Sequence, residues 1–192
     1  MKSTSSKSVP GGKGSAAYAE HVLDLFTEIL YETITIRPLR EVSADVTRSL
    51  AQGLQYVYQH GVCSVRDIAH GLSMTYSAAS QLTERLVRRE LVTRCENQRD
   101  RRLSEVRLTD RGRELVEEIR LHRIMGMSRI LKRMDPECRK ALVADLENFI
   151  TAAINDEKGA LETCSHCGTD HLPECVVNEV YRAATGSQIE KV

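Results

Sequence analysis

The sequence predicts a mainly α fold with one small two-stranded β hairpin, and two observations carry that prediction. Apolar residues recur at helical spacing through most of positions 15–155, and the pattern changes to alternation only near 91–108, around an arginine-rich turn. A third observation bounds the core. With 41% hydrophobic residues but only two Phe, six Tyr and no Trp among 192 residues, it is aliphatic.

The elements follow in order. Residues 1–14 lack the apolar middle of a signal peptide and read as a flexible tail. Tyr18, Val22, Leu25, Phe26, Ile29, Leu30 and Ile34 then predict a long helix from about Ser15 to Ile36, ended by Arg37-Pro38. A second helix of about Thr47 to Gln59 uses Leu50, Leu54, Val57 and Tyr58, with Gly61 placed as a left-handed cap. Ser64 caps a short helix with Val65, Ile68, Ala69 and Leu72 on one face, and a turn from Gly71 to Met74 leads to Thr75, the next N-cap. From there to about Glu90, Ala78, Ala79, Leu82, Leu86 and Val87 mark a buried face, opposite Tyr76, Ser77, Ser80, Gln81, Thr83 and Arg85.

Alternation in Leu91–Cys95 and Glu105–Leu108 predicts two strands joined by a loop holding Arg99, Asp100, Arg101 and Arg102. Thr109 caps a long helix running through Leu115, Val116, Ile119, Ile124, Met127, Ile130, Leu131 and Met134. Asp135-Pro136 breaks it and opens another helix, with Leu142, Val143, Leu146, Phe149, Ile150 and Ile154, that ends near 155–159. The chain thus divides into a tail (1–14), N-terminal helices (15–60), a reading segment (61–113), C-terminal helices (114–158) and a cysteine-rich tail (159–192).

Formal net charge is zero, but it is segregated: residues 61–113 carry eleven Arg and no Lys against seven acids. Guanidinium forks match phosphate geometry, so this segment suits nucleic acid while the rest of the chain is net acidic. Small hydrogen-bonding side chains on the 76–85 face allow close approach to a major groove. Thr75, Ser77 and Ser80 are candidates for phosphate contacts and Tyr76, Gln81 and Arg85 for base edges, whereas Arg88 and Arg89 offset the helix C-terminus. An arginine-tipped hairpin suits a narrow minor groove.

Helix-turn-helix, strand, Asp100-Arg101-Arg102, strand and Leu108-Thr109-x-x-Gly112, in that order, resemble the winged helix-turn-helix of MarR-type transcription regulators over residues 18 to 155. The resemblance implies that Arg102 enters the minor groove with Asp100 holding it or its neighbour. It also implies a homodimer built by the long N- and C-terminal helices on palindromic promoter DNA, most often a repressor, answering to a small-molecule, metal or oxidant effector. The apolar stripes of the terminal helices, which a small winged domain cannot cover, independently point to a second copy of the chain.

The tail departs from that pattern. Cys164, Cys167, His171 and Cys175 form C-x2-C-x3-H-x3-C, a ligand set for tetrahedral zinc, with His166 an alternative fourth ligand. An iron–sulfur cluster is the rival cofactor. Cys63, Cys95 and Cys138 are isolated and read as small, partly buried side chains. The expectation is therefore a zinc-bearing DNA-binding regulator, cytoplasmic, with no membrane span. Its alternatives are an iron–sulfur or thiol redox-sensing regulator and, from another class, a redox enzyme using the tail cysteines. No nucleotide-binding glycine loop or supported Ser/His/Asp or Cys/His arrangement favours an enzyme.

Overall fold

A computed structural model describes residues 12, 14–96, 104–154, 156–167, 172 and 174–189. Helix α1 (Ala16–Tyr31) starts where the Ser15 hydroxyl accepts the Tyr18 N–H at 3.2 Å. The expected stop at Arg37-Pro38 does not occur. A π turn, Glu32–Ile36, carries the chain directly into α2 (Arg37–Val42). Proline is tolerated because Arg37 donates its N–H five residues back to the Glu32 carbonyl, and Pro38, lacking an N–H, falls in the first turn of the new segment.

Helix α3 (Arg48–His60) is capped by Thr47, whose hydroxyl accepts from Leu50. Gly61 ends it at φ 71° and ψ −103°, outside the left-handed helical basin expected of it, because the chain passes at once into a short strand. That strand, β1 (Cys63–Ser64), is too short to show alternation in the sequence. With β2 (Val92–Glu96) and β3 (Ser104–Leu108) it makes an antiparallel sheet of order β1-β3-β2, with Cys63 opposite Val106 and Val92 opposite Leu108.

Between β1 and β2 lie α4 (Val65–Gly71) and α5 (Tyr76–Arg88). A full capping box opens α4: Ser64 Oγ accepts the Asp67 N–H and Asp67 accepts the Ser64 N–H at 2.8 Å. In the connecting turn the left-handed residue is Ser73 (φ 51°), while Gly71 remains helical. What Gly71 provides is space, since a Cβ there would lie 2.0 Å from the Tyr56 ring. The main core joins Leu50, Leu54 and Val57 of α3 with Ile68, Leu82, Leu86, Leu91 and Val106, so three helices and the sheet close on one aliphatic centre.

Helix α6 (Asp110–Leu131) leaves this centre after Thr109. The Thr109 N–H donates to the Leu91 carbonyl at 3.1 Å and its hydroxyl donates to the Glu90 carbonyl at 2.7 Å while accepting the Gly112 N–H at 3.0 Å. A Cβ at Gly112 would fall 1.9 Å from the Leu91 oxygen. The Leu-Thr-x-x-Gly pattern is therefore a backbone joint, in which glycine lets α6 touch the chain between α5 and β2. Farther along, Ile119 packs with Leu39 and Val46, and Gly126 faces Thr33 of the π turn.

Asp135 caps α7 (Pro136–Ala153), accepting from Glu137 and Cys138. Beyond it, where the sequence suggested a helix end followed by a cysteine-rich metal-binding tail, stand α8 (Glu157–His166) and α9 (Val176–Thr185). They fold around Ile154, Ala160 and Val177, and buried Asn178 accepts the Ile189 N–H at 2.9 Å. Neither α1 nor α7 contains a buried residue, although both are rich in apolar side chains.

Gly112→Ala is expected to lower stability by about 2–3 kcal/mol, because backbone must shift on overpacking. Gly71→Ala should cost less, since its obstacle is the far end of a tyrosine ring. Urea midpoints of the two variants measure this, and an equal or reversed order would refute the joint.

Candidate nucleic-acid interface

Helix α5 is anchored on one side and open on the other. Ala79, Leu82, Thr83 and Leu86 are buried, and Tyr76, Ser77, Gln81 and Arg85 are exposed, with Ser80 half-buried between them. The expected face needs correction at three positions. Thr83 is fully buried and its hydroxyl donates to the Ala79 carbonyl at 2.8 Å, which removes it from the open side. Ala78 and Val87, expected inside, are exposed, because the buried stripe is narrower than simple apolar counting implies.

The N-terminal end of α5 carries the binding potential. Thr75 Oγ1 accepts the Ala78 N–H at 3.2 Å and still has its own hydroxyl proton to donate. No acid stands in the first turn, so the positive end of the helix dipole is not offset there and its backbone N–H groups suit a phosphate. Tyr76 is 58% exposed beside it. At the other end, Arg85 and Arg88 lie in the last turn, where their charge complements the dipole.

The hairpin is held at its base. Pairing runs from Val92–Leu108 to Glu96–Ser104, Arg94 Nε donates to Ser104 Oγ at 3.1 Å, and Arg107 meets Glu105 at 2.7 Å. Arg99, Asp100, Arg101 and Arg102 lie outside the described residues. Arg94 and Arg107, which the sequence reading did not single out, put two more guanidiniums on the strands that lead to them. Their place in alternating strands was the available signal.

Two of the cavities that border α6 are lined in part by basic side chains. One of about 250 Å³ lies between α3, the end of α4 and α6, with Gln55, Tyr56, Gly71, Leu72, Arg123 and Cys167 in its wall. The other, about 610 Å³, is walled by Ile34, Ile124, Met127 and Leu131 together with Arg120, Arg123, Lys132 and Arg139, and among the described residues no acid lines it. Burial, then the neighbouring Arg120, push the Arg123 guanidinium below its usual range. Arg139 Nε is buried with no hydrogen-bond partner. Sequence periodicity could not reveal this cluster, because its four cations come from two helices.

Of the expected metal ligands, Cys164 and Cys175 pack at the edge of the α8–α9 core, Cys167 is exposed and His171 lies outside the described residues. Burial, then the neighbouring Cys167 and Cys175, push the Cys164 thiol above its usual range. Among the described residues no group of three His, Cys, Asp or Glu is arranged to hold an ion. Elsewhere, Cys63 is buried and pushed up to about 12 by burial and then Asp67. Cys95 and Cys138 are exposed, not partly buried as expected, since each falls on the solvent side of its element.

Helix-turn-helix, paired wing strands and the α6 joint together define a winged helix-turn-helix protein. A model of the MarR family matches residues 44–103. The HTH-type transcriptional repressor MdtR of Bacillus subtilis (strain 168) is 28% identical over 137 residues, covering 71% of this chain and 88% of the relative. RV1404 from Mycobacterium tuberculosis has a similar crystal structure, with a TM-score of 0.66 and 27% identity, covering 72% of this chain and 94% of its own. An S. aureus MepR mutant bound to an oligodeoxyribonucleotide shares the fold, with a TM-score of 0.55 and 22% identity, covering 71% and 97% of the two chains. Over residues 44–103 the chain is therefore similar to the MarR family of transcription regulators, and its fold resembles theirs. Among the described residues no helix is long and apolar enough to cross a membrane.

Thiol exposure makes a direct prediction. Under native conditions at neutral pH, Cys95 and Cys138 should alkylate within minutes while Cys63, buried and protonated, resists until the domain unfolds. Mass mapping after a timed iodoacetamide pulse checks it, and early labelling of Cys63 would contradict its burial.

Proposed function

We propose that this chain binds palindromic promoter DNA as a homodimer and represses transcription, with its tail cysteines and His171 holding zinc. The observation that carries the DNA reading is the open face of α5. Small polar side chains surround a helix N-terminus without acids, on a helix whose other side is locked into the core. The similarity to the repressor MdtR and to the MepR mutant bound to an oligodeoxyribonucleotide supports the reading. In it, Thr75, Ser77 and Ser80 meet phosphates, Tyr76, Gln81 and Arg85 meet base edges, and Arg102, steadied by Asp100 between Arg99 and Arg101, enters the minor groove.

Two copies are favoured by helices that leave large apolar side chains exposed among the described residues. Leu25 and Ile29 of α1 are 52% and 57% exposed and Phe149 of α7 is 61% exposed, an apolar load that dimerisation removes from water. The cytoplasm is the compartment such a regulator requires. With a duplex operator selected by the full-length protein from random-sequence DNA, Arg102→Ala should weaken binding about tenfold or more and leave the dimer intact by light scattering. Unchanged affinity would take the wing out of the proposal, and a monomeric parent protein would take out the paired half-sites.

The 610 Å³ cavity supports an effector of definite chemistry. Four cations, no acid among the described residues and an apolar wall fit a small anion with an aromatic or aliphatic body. Naphthoate should weaken the operator complex, and Arg139→Ala should blunt its effect; an equal response in the variant would move the ligand elsewhere.

A further inference from the structure

We propose, resting on the effector cavity and the paired half-sites above, that Tyr58 is the positioning residue that couples the two: an anion in the cavity draws Arg120 off the Tyr58 ring, and α6 is then free to change its angle to the winged helix-turn-helix lobe. Tyr58 lies in the second half of α3, half-buried and packed against the main core, so its ring moves with the lobe. Two guanidiniums of α6 approach that ring, Arg113 at 5.8 Å from its centre and Arg120 at 5.2 Å. The two arginines are two turns apart on one stripe of the helix, so a single aromatic side chain holds α6 at two levels.

The two holds differ in what else they do. Arg113 follows Gly112, where the backbone contact with Leu91 already fixes the start of α6. Arg120 is the outer hold, and it also lines the 610 Å³ cavity. There it crowds Arg123, whose guanidinium it helps to push below its usual range, and Arg139 brings a buried Nε with no hydrogen-bond partner. A carboxylate in the cavity relieves that crowding. It takes charge-assisted, directional hydrogen bonds from guanidiniums, which are stronger than a partly exposed cation–π contact, so it wins the competition for Arg120. At 5.2 Å the guanidinium is above the ring without being stacked on it, and a shift of about an ångström toward Arg123 and Arg139 ends the contact.

That loss matters because of where Arg120 sits along the helix. Gly112 and Arg120 are separated by about 12 Å at about 1.5 Å per residue, and two holds that far apart define a direction. Without the outer one, α6 is held to the lobe by the joint, Arg113 and Val116, all within its first two turns. Those act as a pivot. In the proposed dimer α6 links the reading helix to the helices that join the two copies, so its direction sets the separation of the two α5 helices. Half-sites require that separation to be about 34 Å, one turn of DNA, and a tilt of α6 spoils it.

The test uses the full-length chain, the selected operator duplex and naphthoate, with naphthoate binding followed by its own fluorescence in the same samples. In the parent protein naphthoate should lower operator affinity about fivefold or more, within the usual range of coupling between two sites. Tyr58→Leu keeps an apolar side chain and removes the ring face. It should bind naphthoate at least as tightly as the parent, bind operator weakly even without it, and lose less than about twofold on its addition. Tyr58→Phe keeps the ring and should respond like the parent. Pentafluorophenylalanine in place of Tyr58 fills the same space with the charge of the ring face reversed, so it should behave like the leucine variant and gives the answer if that variant fails to fold by circular dichroism. A parent-sized response in the leucine or the fluorinated variant would overturn the clamp and leave the effector cavity standing. So would weaker naphthoate binding in either, or a lost response in Tyr58→Phe. Naphthoate that does not bind the parent would sink the cavity reading and the clamp with it.

Discussion

The contact between the Leu91 carbonyl and the first turn of α6 is the constraint on which the winged helix-turn-helix lobe depends. Three backbone segments meet there: the exit of α5, the start of β2 and the start of α6. Thr109 joins them with one N–H and one hydroxyl, and Gly112 permits the approach by having no Cβ. A joint made of backbone atoms has few ways to relax, so it fixes the angle between the reading helix and the wing. The aliphatic core then fills the space that this angle defines.

Where the sequence was legible, a local chemical signal was strong. Ser64, Thr75 and Thr109 are caps whose side chains do what their positions suggest, and the wing strands follow from alternation flanking a polar turn. It was less legible where one local rule met a tertiary opportunity. Arg37-Pro38 reads as a stop, but a π turn supplies a different hydrogen-bond register and the helix continues. Thr83 reads as polar surface, yet its hydroxyl is satisfied by the carbonyl four residues back, so it is buried at little cost. The α8–α9 pair could not be seen as helices because their packing partners are few and distributed from Ile150 to Ile189.

The candidate site was legible in the same uneven way. The open face of α5 followed from helical periodicity, apart from Ala78, Thr83 and Val87. Arg99, Asp100, Arg101 and Arg102 lie outside the described residues, and Arg94 and Arg107, on the two paired strands, were passed over although both sit in the alternating segments of the sequence. The cation-lined cavity had no sequence signature, since Arg120 and Arg123 on α6 meet Arg139 on α7 only after the chain turns at Asp135. Charge segregation along the chain and charge clustering in space are different properties here, and each marks a different surface.

The π turn has one more consequence. Inserting one extra residue into a helical run rotates everything after it by about 100° around the axis. The apolar side of α1 therefore looks outward, while a fraction of a turn later Pro38 and Leu39 look inward toward α6. One unbroken rod thus carries an exposed apolar stripe before the turn and a buried one after it, because its phase is shifted midway. Removing a single residue between 32 and 36 would restore a uniform helix and turn Leu39 away from Val46 and Ile119 unless the α1 stripe rotated instead.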